Sequence, residues 1–250
     1  MTSAKHLSLA LMALTFALGA CKKDDEEPAT PSGGGGGTPA TPEEPSTTPV
    51  FPDAHGTLWA VKSFSSTATP IGPIDFEMGL GIAAFSNNGF TTNVNVGDVA
   101  LNGTALTPGT TGAYTSVSPT SIVDIDVSSV EWTVAGGNGF AGFTRTVNDF
   151  ALPGVGTVTS AENVVRSDGY TLSCSFTSDA DSVLFLVGGV AKTLVGGSSS
   201  CTFSAAELAG LAAGANMVQI AAYSYTSEVI GGKNIYFGKE TVRSKSVTIE

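Results

Sequence analysis

The sequence is poor in histidine, cysteine and basic residues, and each shortage excludes a class of function. Only two of its 250 residues are histidines, His6 and His55, which leaves most of the chain without the commonest general base and zinc ligand. Lysine and arginine number 11 against 22 acids, so the formal net charge is −11 at pH 7. This charge repels nucleic-acid phosphates, and no local basic cluster overrides it. We therefore expect no binding to nucleic acid.

Long apolar runs are also absent, apart from one near the start. Leu7–Ala17 is apolar and follows a short basic start at Lys5 and His6. It is only about half to two-thirds of the ~20 residues that a spanning helix needs. Such a run is typical of a secretory signal peptide, which the sequence predicts over residues 1–20.

The apolar run ends in Leu18-Gly19-Ala20-Cys21, which resembles the lipobox of bacterial lipoproteins. In that family the cysteine thiol is the nucleophile that accepts a diacylglycerol, and the chain is then cleaved just before it. The resemblance implies that Cys21 is lipidated and anchors the protein in a membrane, with about 0.8 kcal/mol from each buried methylene. The alternative is an ordinary signal peptide with an unrelated cysteine.

A lysine and a run of acids follow Cys21, and they resemble the surface-export signal of Bacteroidetes-type lipoproteins. The resemblance implies a protein that is lipid-anchored in the outer membrane and faces the cell exterior. A solvated charge run that serves no export is the alternative. The residues that match the signal are Lys23, Asp24, Asp25 and Glu26.

Residues 28–50 are mostly Pro, Gly, Thr and Ser, with almost nothing to bury. Such a segment cannot offset the entropy of ordering, so 21–50 is predicted to be a disordered tether.

The remaining chain has short apolar or alternating runs broken by turn residues, which predicts an all-β fold of antiparallel β-sandwiches. The predicted strands are Thr57–Phe64, Met78–Ser86, Asp98–Leu101, Ala113–Val117, Val123–Asp126, Val130–Ala135, Phe143–Asn148, Tyr170–Phe176, Ser182–Val187, Ala191–Leu194, Cys201–Phe203, Met217–Tyr225, Asn234–Phe237 and Glu240–Ile249.

A Gly-rich stretch, Pro153–Glu162, divides this body into a β-rich domain, 51–160, and a second domain, 161–250. The second has seven short strands in under a hundred residues, the count of an immunoglobulin-like sandwich. Its passage Ser204–Tyr223 opens with an N-cap serine followed three residues later by a glutamate, which predicts a short helix. The passage resembles the crossover in fibronectin type III and other bacterial immunoglobulin-like modules. That resemblance implies an immunoglobulin-like β-sandwich and no particular function. The first domain could form its own sandwich or extend the second.

Two cysteines lie in this second domain. Strand alternation directs the Cys174 and Cys201 side chains into the core, and an exported protein meets an oxidising environment. We predict a disulfide between them, with two buried free thiols as the alternative.

Two pairs of acids, Asp75 with Glu77 and Asp124 with Asp126, are candidates for the two carboxylates of a glycosidase. Each pair has period-two spacing and would share one strand face, where solvated carboxylates are the commoner arrangement. Gly137–Gly142 matches the dinucleotide fingerprint GxGxxG, but no helix follows to receive a pyrophosphate. We therefore expect no enzyme activity and no cofactor.

Asp179–Ser182 could offer oxygens to calcium, although a plain turn between strands explains it as well. In the same place Asp181-Ser182-Val183 resembles the O-glycosylation sequon of Bacteroidetes-type secreted proteins, which implies Ser182 as a modification site.

These features together favour a surface-displayed bacterial lipoprotein with a structural, adhesive or ligand-binding role. Its partners would be the membrane, through the lipid anchor, and a glycan or protein ligand. Trp132, Phe140 and Phe143 could form an aromatic patch for such a ligand or pack in the core. The alternatives are a carbohydrate-active enzyme, which would need clustered acids facing a cleft, and an accessory subunit of an outer-membrane uptake or secretion complex.

Overall fold

The computed structural model describes residues 51–69, 72–118 and 121–250, in which nineteen β-strands, one 3-10 turn (Arg166–Asp168) and one α-helix form. The predicted all-β fold with antiparallel sheets packed together is confirmed. The elements up to residue 155 are β1 Gly56–Thr69, β2 Gly72–Phe85, β3 Val99–Leu101, β4 Thr104–Ala105, β5 Thr107–Pro108, β6 Tyr114–Thr115, β7 Val117–Ser118, β8 Ser121–Ile122, β9 Glu131–Val134, β10 Phe143–Thr146 and β11 Gly154–Val155. The later elements are β12 Asn163–Val164, β13 Tyr170–Ser173, β14 Thr177–Ser178, β15 Ser182–Val187, β16 Val190–Val195, β17 Ser200–Phe203, α1 Ala205–Leu208, β18 Gly214–Ile230 and β19 Lys233–Ile249.

One large sheet, here called the main sheet, runs through the whole described body. Its strand order is β16-β15-β18-β19-β1-β2-β6-β5, with β12 also beside β19. The hairpin of β18 and β19 forms its centre, and β1 lies parallel to β19 from Gly56 to Ser66. The middle of these strands is buried on both faces, which explains why β1 contains the nearly continuous apolar run Leu58–Val61.

The inner face of the main sheet carries two hydrophobic cores, one at each end of β19. Ile235 and Phe237 belong to the first core, and Val247 and Ile249 belong to the second. Small sheets cover each core. The largest fully buried members are Leu58, Phe85, Leu101, Tyr114, Trp132, Ile235 and Phe237 in the first core, and Leu172, Phe185, Phe203, Leu208 and Ile220 in the second.

Cationic side chains of β19 lie between the two cores and bind the segment from Phe150 to Ser160, which crosses the main sheet from one core to the other. Lys239 Nζ donates to the Phe150 carbonyl at 2.9 Å and Arg243 Nε to the Val155 carbonyl at 2.8 Å. Lys245 continues the row and donates to the Ser160 carbonyl at 3.1 Å. Buried carbonyls need such donors, so hydrogen bonds fix the connection to the sheet in addition to the apolar packing of its Phe150, Leu152, Val155 and Val158 side chains.

The outer face of the main sheet carries a third cluster, here called the outer cluster. It is centred on Trp59, whose ring lies over Gly238 of the neighbouring strand. Its buried members are Trp59, Val61, Leu80, Ala221, Tyr223 and Val242.

Local predictions differ from the structure in several places. The predicted strand Ala113–Val117 divides into β6 and β7, and the short strands β5, β8, β11, β12 and β14 have no predicted counterpart. The predicted strand Val123–Asp126 does not form, because the Asp124 carboxylate accepts the Gly79 N–H at 2.7 Å and the segment donates only two backbone hydrogen bonds, from Val123 to Ser116 and from Ile125 to Gly79. The predicted strands on either side of Lys239 are instead one strand, β19. The predicted helix is confirmed: Ser204, its N-cap, and Glu207, its third residue, form a complete capping box at the start of α1.

Candidate functional site

Three acids converge on Lys62 at the inner face of β1 and β2. Glu77 lies on β2, while Asp124 and Asp126 lie in the loop that borders this strand. Together they line a cleft of about 330 Å³, here called the carboxylate cleft. Its lining residues are Lys62, Glu77, Gly79, Asp124, Ile125, Asp126 and Val127.

Close backbone packing brings the loop and β2 together. Lys62 is paired with Gly79 in the β1–β2 register, and a Cβ at Gly79 would lie 1.7 Å from the Ile125 carbonyl oxygen. Glycine is therefore required there, and it lets Asp124 reach the strand. The two members of the predicted pair Asp124 and Asp126 do line one cleft, together with Glu77. The side chain of Asp75 lies outside the described part of the chain.

Each acid of the cleft already acts as a hydrogen-bond acceptor or an ion-pair partner. Lys62 Nζ lies 2.6 Å from Glu77 Oε1, and Asp126 Oδ1 accepts the Ser128 N–H at 2.9 Å. Hydrogen bonds from Ser128, and secondarily the charge of Lys62, hold the pKa of Asp126 below its usual range. A general acid needs the opposite shift, so the Asp126 carboxylate is suited to accept hydrogen bonds from hydroxyl or amine groups and not to donate a proton.

A second polar and aromatic group lies where the described chain begins. The Phe51 ring packs on Tyr236 at 4.4 Å and edge-on against Tyr225 at 4.8 Å. Asp53 fixes the same segment, since its carboxylate accepts bonds from the Tyr236 hydroxyl at 2.9 Å and the Asn234 amide at 2.6 Å. These contacts attach the start of the folded body to the outer face of the β18–β19 hairpin.

The predicted anchor residues lie outside the described residues. These are Cys21 for lipidation and Lys23, Asp24, Asp25 and Glu26 for export. In residues 51–69, 72–118 and 121–250, no helix is long and apolar enough to cross a membrane. Within the same ranges, no group of three or more His, Cys, Asp or Glu side chains could hold a metal ion.

The predicted disulfide is absent from the structure: within the described chain, Cys174 and Cys201 are both buried free thiols. The register explains this arrangement. Cys201 pairs with Leu172, and the Cys174 N–H bonds to Ser199, so the cysteines are diagonal neighbours on adjacent chain segments. Diagonal positions are about 7–8 Å apart, beyond the usual Cα separation of a disulfide. The Cys174 thiol donates to the Phe176 carbonyl at 3.2 Å, and burial raises the pKa of both thiols.

Ser182, the candidate for O-glycosylation, is the first residue of β15 and is half-buried. It lies directly opposite Tyr223, with which its side chain hydrogen-bonds. The preceding residues Asp179 and Asp181 form a turn in which Asp179 has a φ of 54° and the Asp181 N–H bonds to the Ser224 hydroxyl at 3.0 Å.

The aromatic residues predicted for a patch lie in or against the first core. Trp132 is fully buried and Phe140 nearly so, while Phe143 packs edge-on against Phe237 at 5.8 Å. The fingerprint Gly137–Gly142 is a tight turn, closed by a bridge between its first glycine and Phe140 and followed by strand β10.

The sequence reasoning missed one buried acid. Glu240 on β19 has no exposed surface, and burial raises its pKa to about 8. Counting by two from Val242 places it on the same strand face as the outer cluster, which is the signal that could have identified it.

Comparison with known proteins gives no relative. No protein-family model, no curated protein and no solved structure matches the chain.

Proposed function

We propose that the chain is a surface-displayed bacterial lipoprotein whose folded body binds a ligand and does not catalyse a reaction on it. The anchor part of the proposal rests on Leu18–Cys21, the charged residues after it and the polar tether up to residue 50. The binding part rests on the carboxylate cleft. We infer that the ligand is a glycan or a protein surface that donates hydroxyl or amine hydrogens.

The observation that carries the binding role is the fixed orientation of acceptors around Lys62. Asp124 and Asp126 are held by backbone N–H groups, and Glu77 is held by the ion pair with Lys62. Preorganised acceptors bind polar ligands without a further cost of ordering. The convergence of acids also favours the second candidate, a carbohydrate-active enzyme, but the lowered pKa of Asp126 counts against a proton donor there.

Two experiments test the two parts of the proposal. Protease treatment of intact cells tests surface display, and capture on a glycan array tests ligand binding. The protease should cleave the wild-type chain at the cell surface. The Cys21→Ala chain should lose lipid labelling and should be protected from the protease. Asp126→Asn should keep its display and lose glycan capture, while Asp168→Asn, an exposed acid in the 3-10 turn, serves as the charge-matched control. A protected wild-type chain would refute display, and equal capture by both aspartate variants would refute the cleft.

A further inference from the structure

Glu240 is a carboxylic acid at the centre of the main sheet. It has no exposed surface, and neither carboxylate oxygen has a hydrogen-bond partner among the described residues. In the strand register it stands between Val61 of β1 and Tyr223 of β18. Buried acids are normally paired or hydrogen-bonded, so an unpartnered one needs a functional or structural account.

The groups around Glu240 offer it no positive charge within the described chain. On the outer face, β1 and β2 contribute the uncharged Trp59, Val61, Leu80 and Met78, and β18 contributes Ala221 and the phenols Tyr223 and Tyr225. The Tyr223 hydroxyl bonds with side chains on β15 and β16, and the charge of Glu240 would raise its pKa further.

The nearest cations on β19 belong to the opposite face. Strand alternation sends Lys239 and Arg243 to the inner face, where they donate to the carbonyls of Phe150 and Val155. At the far end of the outer face, Asp53, His55 and Tyr236 bind one another or Asn234. Among the described residues, Glu240 thus has neither a hydrogen-bond donor nor a cation to stabilise its charge, and binding a proton removes that charge.

We propose that Glu240 is a proton-binding switch: its neutral form keeps the outer cluster closed, and its ionisation opens the cluster and weakens the attachment of Phe51. The raised pKa, about 8, agrees with the burial that suggests the switch. The closed form is expected below this pH and the open form above it, because an ionised carboxylate must regain water. The inference does not depend on the proposed function.

Ring contacts connect Glu240 to the start of the folded body. Trp59 on β1 and Tyr223 on β18, the two strands beside β19, meet edge-on with ring centroids 6.1 Å apart. Phe51 lies 6.1 Å from Trp59 on the other side. Separating Trp59 from Tyr223 to admit water would thus remove one of the contacts that hold Phe51, the residue that follows the predicted tether.

The test follows the full-length protein from about pH 5 to about pH 9.5, a range in which tyrosines of ordinary pKa stay mostly protonated. Trp59 emission should shift to the red with a midpoint near pH 8, and the infrared band of a protonated carboxyl should disappear over the same range. Glu240→Gln should abolish both changes. Thr241→Val is the matched control, since it alters a buried side chain of the adjacent residue without removing an acid, and it should retain both.

Trp59→Phe assigns the signal, because the chain's other tryptophan, Trp132, lies fully buried in the first core. Loss of the emission shift in this variant, with the infrared change intact, supports the switch. An emission shift that survives in Glu240→Gln overturns it. A wild-type protein that stays folded and shows no infrared change up to about pH 9.5 overturns it equally.

Discussion

Replacing Gly238 with alanine should push the Trp59 ring away from the centre of the main sheet. A Cβ at Gly238 would lie 2.2 Å from Cε3 and 2.3 Å from Cζ3 of this ring. Carbon atoms in contact stand about 3.5–4.0 Å apart, so the overlap exceeds 1 Å, roughly. The strain is purely steric, since Gly238 lies within β19 and has ordinary extended backbone.

The size of the effect lies between two limits. If the ring shifts within its site, overpacking costs about 1–3 kcal/mol. If the ring is expelled, the loss approaches the burial of a large aromatic side chain, about 150–250 Å² at about 25 cal/mol/Å², or ~4–6 kcal/mol. Trp59 is only 2% exposed, so a shift of its ring meets neighbouring atoms, and the cost should lie where the two limits meet. We expect a loss of about 3 kcal/mol.

Urea denaturation of Gly238→Ala and of a control, Gly210→Ala, measures this loss. Gly210 has open space around its Cβ position and ordinary backbone, so its variant should be neutral or slightly stabilised. In a Trp59→Val background the cost of Gly238→Ala should largely vanish, which a double-mutant cycle reports as coupling. Equal midpoints for the two alanine variants, or a cost unchanged by Trp59→Val, would refute the reasoning.

Two further predictions concern acids whose pKa values shift in opposite directions. Hydrogen bonds, first from Lys192 and then from Ser204, lower the pKa of Glu207 to about 2. The stability that the ionised Glu207 contributes is therefore present above its usual pKa of 4.5 and is lost as the pH falls toward 2. Glu207→Gln should lower the free energy of unfolding by less than about 1 kcal/mol at neutral pH, because the ion pair with Lys192 is partly exposed and screened. In thermal unfolding, the variant should lose less stability than the wild type as the pH falls. Glu240 has a raised pKa, so its stabilising neutral form is lost as the pH rises from 4.5 through about 8. Glu240→Gln should match wild type near pH 4 and be about 3 kcal/mol more stable near pH 7 in urea unfolding; equal stability at both pH values would contradict this.

Local patterns predicted the elements whose stabilisation is local. β15 forms over Ser182–Val187 as predicted, because alternate residues are buried along it. The capping box at Ser204 forms because both of its hydrogen bonds lie within one turn. The break predicted near Lys239 does not occur: Gly238 and the charged residues after it read as a boundary, but Trp59 from another strand covers the glycine.

Long-range pairing explains the parts that the sequence did not predict. β1 lies beside β19 although Gly56 and its partner Ile235 are far apart in the chain, and no local periodicity encodes such a pairing. The carboxylate cleft depends on the same kind of contact, since Asp124 reaches Gly79 across 45 positions. The acids were recognisable as pairs along the sequence, but their common position around Lys62 required the fold.

The position of β1 would give the cleft a direct mechanical relation to the tether that the sequence predicts before Phe51. This strand carries Lys62 of the cleft, and its first residue, Gly56, lies five positions after Phe51. The distance along the strand from Gly56 to Lys62 is about 20 Å at about 3.3 Å per residue. A ligand held at Lys62 would therefore pull on the same strand that leads to the predicted anchor. Since β1 is hydrogen-bonded to β2 on one side and to β19 on the other, that pull would be resisted by two ladders in shear before either core is disturbed.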